Sequence, residues 1–236
     1  GMAASLRIGG APAGGIVLLR PVMPMKDAQD AALLAMIARS LNPALEAELV
    51  RRRSESDAVD VACRMLDAME GRGLLRPGHS NRVAHLTVAA SERLPLLARQ
   101  RRSLETAARL HDIGEVGIPE ELLSRAGPLN PEEMQVVRSH ADVGARLLEH
   151  LGEAALLVRH HHERPDGLGY PNGLREGQIP VGAGLIGVAE AYDAMTHSRP
   201  YHRTLSSTEA RREILRLRGV QFLPDAVDAL LPVIPA

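Results

Sequence analysis

No tryptophan occurs among the 236 residues, and the aromatic residues number four: Tyr170, Tyr192, Tyr201 and Phe222. All four fall in the last third, so a core built elsewhere must be aliphatic. Cys63 is the only cysteine. That excludes an intramolecular disulfide and a cysteine-rich zinc site, and it fits a reducing, cytoplasmic compartment. No apolar run approaches the roughly 18–20 residues of a membrane span, and no secretion signal is evident. Charge of one sign is also missing, with a formal net charge of −1 and a pI near 6.9. A general DNA or RNA binder carries a basic excess, so that class is excluded, whereas a small anion held by a few local cations is not.

What is present is helical periodicity. Hydrophobic residues make up 45% and charged residues 24%, ordinary for a globular chain. The length suits one large domain, expected over residues 55–236, with a small extension over residues 1–54. Residues 2–24 are rich in Gly, Ala and Pro and read as a loose segment with one strand around residues 16–19. Residues 27–39 read as a helix, Asn42-Pro43 as a turn, and residues 44–53 and 54–70 as a further helix broken by Gly71 and Gly73. Helices follow over residues 79–94, 103–111, 130–151, 153–164, 181–196, 207–218 and 225–231. In the helix over 130–151, Asn130 is the N-cap, Pro131 takes the first helical position and Glu133 completes a capping box. There is no internal repeat and no run of alternating strands, so the class is all-α.

The chemistry-bearing residues are imidazoles and carboxylates. Leu104, Ala107, Ala108 and Leu110 form the apolar side of a helix that ends in His111-Asp112. Side by side, these two can reach one cation or form a solvated polar pair. His140 shares a stripe with Val136, Val137, Val143, Leu147, Leu148 and Leu151 and is expected to be buried, whereas His150 is rotated off it. A buried imidazole needs partners for both nitrogens, whether a core hydrogen bond or a metal. His161 and His162 follow Leu157 and Val158 at i+4 and share their inward half, while Arg159 and Glu163 form an i,i+4 pair facing solvent. Glu190 and Asp193 are the only charges in the apolar stretch over residues 184–195, and a buried carboxylate must be paired or metal-bound. Arg199 and Arg203 are the alternative partners for Glu190. Donors of this kind, without thiolate, suit iron, manganese, zinc or nickel. More than four candidates point to two metals, which at about 3.5–4 Å apart can hold both ends of a phosphoryl displacement.

These residues occur in a specific order. They sit in Gly78-His79-Ser80-Asn81-Arg82-Val83, Leu110-His111-Asp112-Ile113-Gly114 and Gly117-Ile118-Pro119. His140 and His161-His162-Glu163-Arg164 follow. The set closes with Asp166-Gly167-Leu168-Gly169-Tyr170-Pro171, Tyr192-Asp193-Ala194-Met195-Thr196 and Arg199-Pro200-Tyr201. The ordered set resembles the HD-GYP family over about three quarters of the chain. That resemblance implies an HD-type helical bundle with a metal centre, and hydrolysis of cyclic di-GMP to the linear dinucleotide or GMP in bacterial signalling. By motif position it implies His79, His111, Asp112, His140, His161 and His162 as metal ligands, with Glu190 standing where the family has its last Asp ligand. Arg199 is implied to hold a substrate phosphate and Tyr170 to shape the site. Trinuclear members carry a carboxylate four residues before the first His, where this chain has Leu75. Two divalent metals are therefore expected, iron or manganese first, with zinc, nickel or magnesium as alternatives. The implied partners are a cyclic dinucleotide and a second copy of the chain or a signalling protein.

The chain departs from the family pattern at two cations. Glu115 stands three residues after the HD aspartate, where the family has Lys, and His202 stands where Lys or Arg follows Arg-Pro-Tyr. The expected function is a phosphodiesterase with Asp112 and Glu115 at the reacting centre and Arg199, Tyr170 and His202 on the substrate. The alternatives are a non-catalytic module that binds metal or nucleotide, and an HD phosphohydrolase acting on another nucleotide.

Overall fold

The computed structural model describes residues 2–8, 11–18, 27–71, 77–125, 127–197 and 204–235. The chain divides into two units, residues 1–58 and 59–236. The first contains an antiparallel hairpin of β1 (Met2–Ile8) and β2 (Ala11–Leu18), with a register shift between Leu6 and Arg7. The sequence reading had one strand here. It missed the pairing because Ala- and Gly-rich strands carry little period-2 signal. Helix α1 (Asp27–Gly71) is continuous, with Pro43 inside it. The expected turn at Asn42-Pro43 is absent. Proline costs a helix one hydrogen bond and a steric clash, and the strong helix formers around it, Leu41, Ala44, Leu45, Glu46 and Ala47, carry the helix past it.

The second unit is all-α. It comprises α2 (His79–Ser91), α3 (Ala98–Leu110), a 3₁₀ turn (Ile113–Gly117), α4 (Glu120–Leu123), α5 (Pro131–Arg138), α6 (His140–Leu147), a 3₁₀ turn (Glu149–Leu151), α7 (Glu153–His160), α8 (Val181–Thr196), α9 (Ser207–Arg216) and α10 (Pro224–Leu230). Helix α8 lies at the centre, packed on α2, α7, α9 and α10, while α3 packs on α2 and α7. Its Ala183, Leu185, Ile186, Val188 and Ala189 are fully buried against Leu104, Leu110, Val158, Ile214 and Leu230. The core is aliphatic as expected, with Tyr192 and Phe222 its aromatic members.

The helix expected over residues 130–151 is three pieces. Asn130 and Glu133 form the capping box, but the run breaks at Ser139, whose Oγ donates to Val136 O. Its buried face is only partly the one predicted, with His140 and Leu148 buried and Val137, Val143 and Leu151 half-buried. Val136 and Leu147 are exposed, and the inward stripe is His140, Ala141, Gly144 and Leu148. The break at Ser139 rotates α6 relative to α5, so one 3.6-residue period cannot describe both. His140 is buried and His150 exposed, as expected.

Candidate metal centre

Four histidines reach the centre from helix ends or starts. His79 opens α2, His111 follows α3, His140 opens α6 and His161 follows α7. Three share one local geometry. His111 Nδ1 lies 3.0 Å from Ala108 O, His140 Nδ1 2.8 Å from Val137 O, and His161 Nδ1 2.6 Å from Val158 O. A carbonyl only accepts, so each Nδ1 carries the proton and donates, which leaves Nε2 of the neutral ring as a lone pair aimed at the centre. His79 uses a carboxylate instead, with Nδ1 2.6 Å from Asp193 Oδ2. This ordering of the ring by its second nitrogen is what metal-binding histidines require.

The donors form two groups, Asp112 with His140, His161 and His162, and His79 with His111 and Glu190, the ligand atoms of each group lying within 4.8 Å of one another. Asp112 adjoins both. Its carboxylate is 3.2 Å from His111 Nε2, 3.6 Å from His79 Nε2 and 3.8 Å from His140 Nε2. Among the described residues His111 Nε2 is buried with no aligned hydrogen-bond partner, the Asp112 carboxylate lying 3.2 Å away. An orphaned buried nitrogen among inward lone pairs and a carboxylate fits a divalent cation.

The electrostatics agree with a cation site. Burial pushes His161 and His162 down, the latter to about 4 despite Glu190 nearby, so both rings stay neutral. Burial also opposes charge on His111, but Asp112 outweighs it and raises His111 to about 9. Burial raises the Asp112 carboxyl, yet the four surrounding rings contain three that pull it well below the usual range: His111, His140 and His79. Without metal, a proton on His111 stands in for a cation.

Around the donors lies a supporting layer that the sequence reading had only partly named. Asp193 is fully buried and accepts from His79 and from Arg82 Nε at 2.5 Å and Nη2 at 3.2 Å. Burial raises its carboxyl, but these partners hold it far below the usual range. Asp193→Ala is expected to destabilise the protein by ~2–3 kcal/mol, discounted for the partial exposure of Arg82. Thermal unfolding measures this, and an unchanged midpoint would contradict the assignment. Because the folded-state carboxyl is depressed, its contribution is present above the ordinary aspartate value and is lost only as pH falls through the lower folded value. Glu70, buried on α1, accepts from Gly78 N, Ser80 N and Ser80 Oγ, and so caps the start of α2 where His79 sits.

Glu163 was expected to face solvent with Arg159. It is instead buried, accepting from Asn172 N at 2.7 Å and Leu174 N at 2.8 Å, while Arg159 pairs with Asp142. Glu163 thereby pins the loop that carries Tyr170. That ring stacks on His162 at 4.6 Å, and the Tyr170-Pro171 peptide is cis. A Cβ at Gly169 would lie 2.5 Å from Arg164 N, so only glycine allows the loop this close.

Of the residues predicted from sequence, His79, His111, Asp112, His140, His161, His162 and Glu190 come together, with Tyr170 beside them. Glu190 is half-buried, with His162 Nδ1 3.8 Å from its carboxylate. Glu115 is half-buried on the 3₁₀ turn that follows Asp112. His160 is buried but belongs to neither donor group. Leu75, Arg199 and His202 lie outside the described residues.

A family model described as HD domain matches residues 72–224. The chain is 37% identical over 158 residues to a cyclic di-GMP phosphodiesterase of Thermotoga maritima, covering 65% of this chain and 43% of that protein. It is 35% identical over 136 residues to 3'3'-cGAMP-specific phosphodiesterase 3 of Vibrio cholerae, covering 56% of this chain and 30% of that protein. The chain thus spans less than half the length of these relatives. Bd1817, an HDG"Y"P protein from Bdellovibrio bacteriovorus, shares the fold with a TM-score of 0.56 at 18% identity, over 78% of this chain and 63% of that one. With its histidines and Asp112 gathered as the motif order requires, the chain belongs to the HD domain family, on its HD-GYP branch.

Proposed function

We propose that the protein is a metal-dependent phosphodiesterase that hydrolyses cyclic dinucleotides, cyclic di-GMP before 3'3'-cGAMP. The observation that carries this reading is the set of buried Nε2 lone pairs, fixed by carbonyls behind the rings, converging on Asp112 beside an open cavity. Asp112, His140, His161 and His162 would hold one divalent ion and His79, His111 and Glu190 a second; such donors admit iron, manganese, zinc or nickel, and the HD-GYP resemblance points to iron or manganese first. Such ions supply Lewis acidity toward a phosphodiester and a nucleophile at neutral pH. The protein's own part is placement. Backbone carbonyls and Asp193 lock the imidazoles, Glu163 fixes the substrate-facing loop, and Tyr170 covers His162 against water. Arg199 is assigned to a substrate phosphate and His202 to its neighbour.

Elemental analysis of anaerobically purified protein, followed by turnover of both cyclic dinucleotides on the same sample, tests the proposal. Two metals per chain with cyclic di-GMP turnover is the expected result. Fully metallated protein that turns over neither nucleotide would overturn it. One observation favours a second reading, a non-catalytic module. Glu115 places a carboxylate on the turn directly after Asp112, where a cation would assist an anionic substrate. Under that reading Glu115→Lys creates activity of at least about a hundredfold over the parent, whereas a parent already turning over excludes it.

Metal uptake is also expected to release a proton. His111 titrates at about 9 in metal-free protein, so at pH 7–8 an ion must displace that proton, and apparent affinity falls about tenfold per unit as pH drops below 9. A pH-indicator titration with Mn²⁺ reads this directly. Release of no proton at pH 7.5 would contradict it.

A further inference from the structure

A cavity of about 290 Å³ opens beside the donors, lined by His162, Tyr170, Glu190, Arg164, Gln221 and Arg138 among others. Two of its walls are cationic. Arg164 is already committed, with Nε and Nη2 at 3.1 and 2.6 Å from the Asp166 carboxylate. Arg138, the last residue of α5, is exposed, and its guanidinium lies over the Tyr170 ring, 5.2 Å from the centroid. Among the described residues it has no ion-pair partner. The carboxylate within the lining nearest the metal donors, Glu190, is taken up with His79 and His111, and Glu163 is engaged by two backbone N–H groups and His160. Arg138 is therefore a cation held in place by stacking, with its hydrogen-bonding edge uncommitted.

The layering is Arg138 on Tyr170 and Tyr170 on His162, a metal donor. Arg138 thus stands one ring beyond the centre that takes the scissile phosphate. The cavity is at the small end of ligand sites, which run from about 300 Å³ upward. It suits one nucleotide unit, and the rest of a dinucleotide must extend over its rim. A planar guanidinium matches a phosphate bidentately. Resting on the phosphodiesterase reading above, we propose that Arg138 binds the second, non-scissile phosphate of the cyclic dinucleotide. It thereby supplies the substrate-holding cation that Glu115 and His202 do not.

The test compares Arg138→Ala and Arg138→Lys with the parent on two substrates, cyclic di-GMP and bis(p-nitrophenyl) phosphate, which has one phosphodiester and no second phosphate. Equilibrium titration with cyclic di-GMP and metal content are measured on the same samples. Arg138→Ala is expected to weaken cyclic di-GMP binding and raise its KM roughly ten- to hundredfold, with metal content retained. Its loss on the small diester is expected to be at least tenfold less. Arg138→Lys keeps the charge without the fork and should fall between. Equal losses on both substrates would assign Arg138 a structural role and overturn the proposal, as would unchanged binding of cyclic di-GMP. If the parent binds no cyclic dinucleotide, the phosphodiesterase reading itself falls, and this proposal with it.

Discussion

Asp112→Ala is expected to abolish metal binding and activity together. Its carboxylate lies against histidines of both groups, His79 and His111 on one side and His140 on the other. Without it the site is a set of neutral nitrogens plus Glu190, with a single carboxylate charge to offset two divalent ions. A loss of at least about a thousandfold in rate is expected, the ~4 kcal/mol that a shared ligand can carry. Metal content should fall well below that of the parent. Asp112→Asn preserves shape and guards against a folding defect. In it the metal-free His111 should lose most of its elevation, because burial is then opposed only by Glu190 and the Ala108 carbonyl and no longer by the Asp112 charge. NMR titration of the histidines reads that shift. Full metal content and activity in both variants would refute the assignment.

Gly114→Ala is expected to be nearly as damaging, by a different route. A Cβ there would lie 1.9 Å from His140 O and 2.5 Å from Gly144 N, both backbone atoms of α6. Backbone cannot rotate aside as a side chain can. The 3₁₀ turn carrying Asp112 at its head and the helix opening with His140 would have to part. Overpacking costs about 1–3 kcal/mol and occasionally more, and backbone contact argues for the upper end, lowering the unfolding midpoint by ~6–12 °C for a domain of this size. Metal affinity should fall as well, since both elements carry donors. Gly117→Ala is the matched control. Its Cβ would meet only the Val143 side chain, at 3.3 Å, and it should be close to neutral. If calorimetry finds the two variants alike, the close approach of turn and helix is not what fixes the site.

The contrast between these two glycines shows where sequence reading stopped. Gly114 and Gly117 enter the sequence analysis alike, as members of the two motifs that begin at Leu110 and Gly117. Only the packing of α6 on the turn separates an indispensable glycine from an ordinary one. The same holds for charge. Glu163 and Arg159 have the spacing of a surface pair, yet the chain turns after His160 and Glu163 becomes the anchor of the Tyr170 loop. Arg138 has no signal in its neighbours at all, since what matters is a ring 32 positions away in the chain.

By itself the sequence determined the all-α class of the larger unit, its aliphatic core, and most helices from α2 onward, with α4 missed and residues 130–151 read as one helix; together with the family's motif order it also named the seven metal-donor candidates. The class, core and helices follow from local chemistry, namely periodicity, caps and Gly/Pro breaks, and the donor candidates from imidazoles and carboxylates on apolar stripes read in the order of the family's motifs. Tertiary structure alone decided that the seven form two groups meeting at Asp112, that carbonyls three residues back set the tautomers, and that Asp193, Glu70 and Glu163 hold the donors in place. These partners are separated by many residues of chain. Their meeting depends on how α8 packs on α2 and α7, which no local pattern encodes.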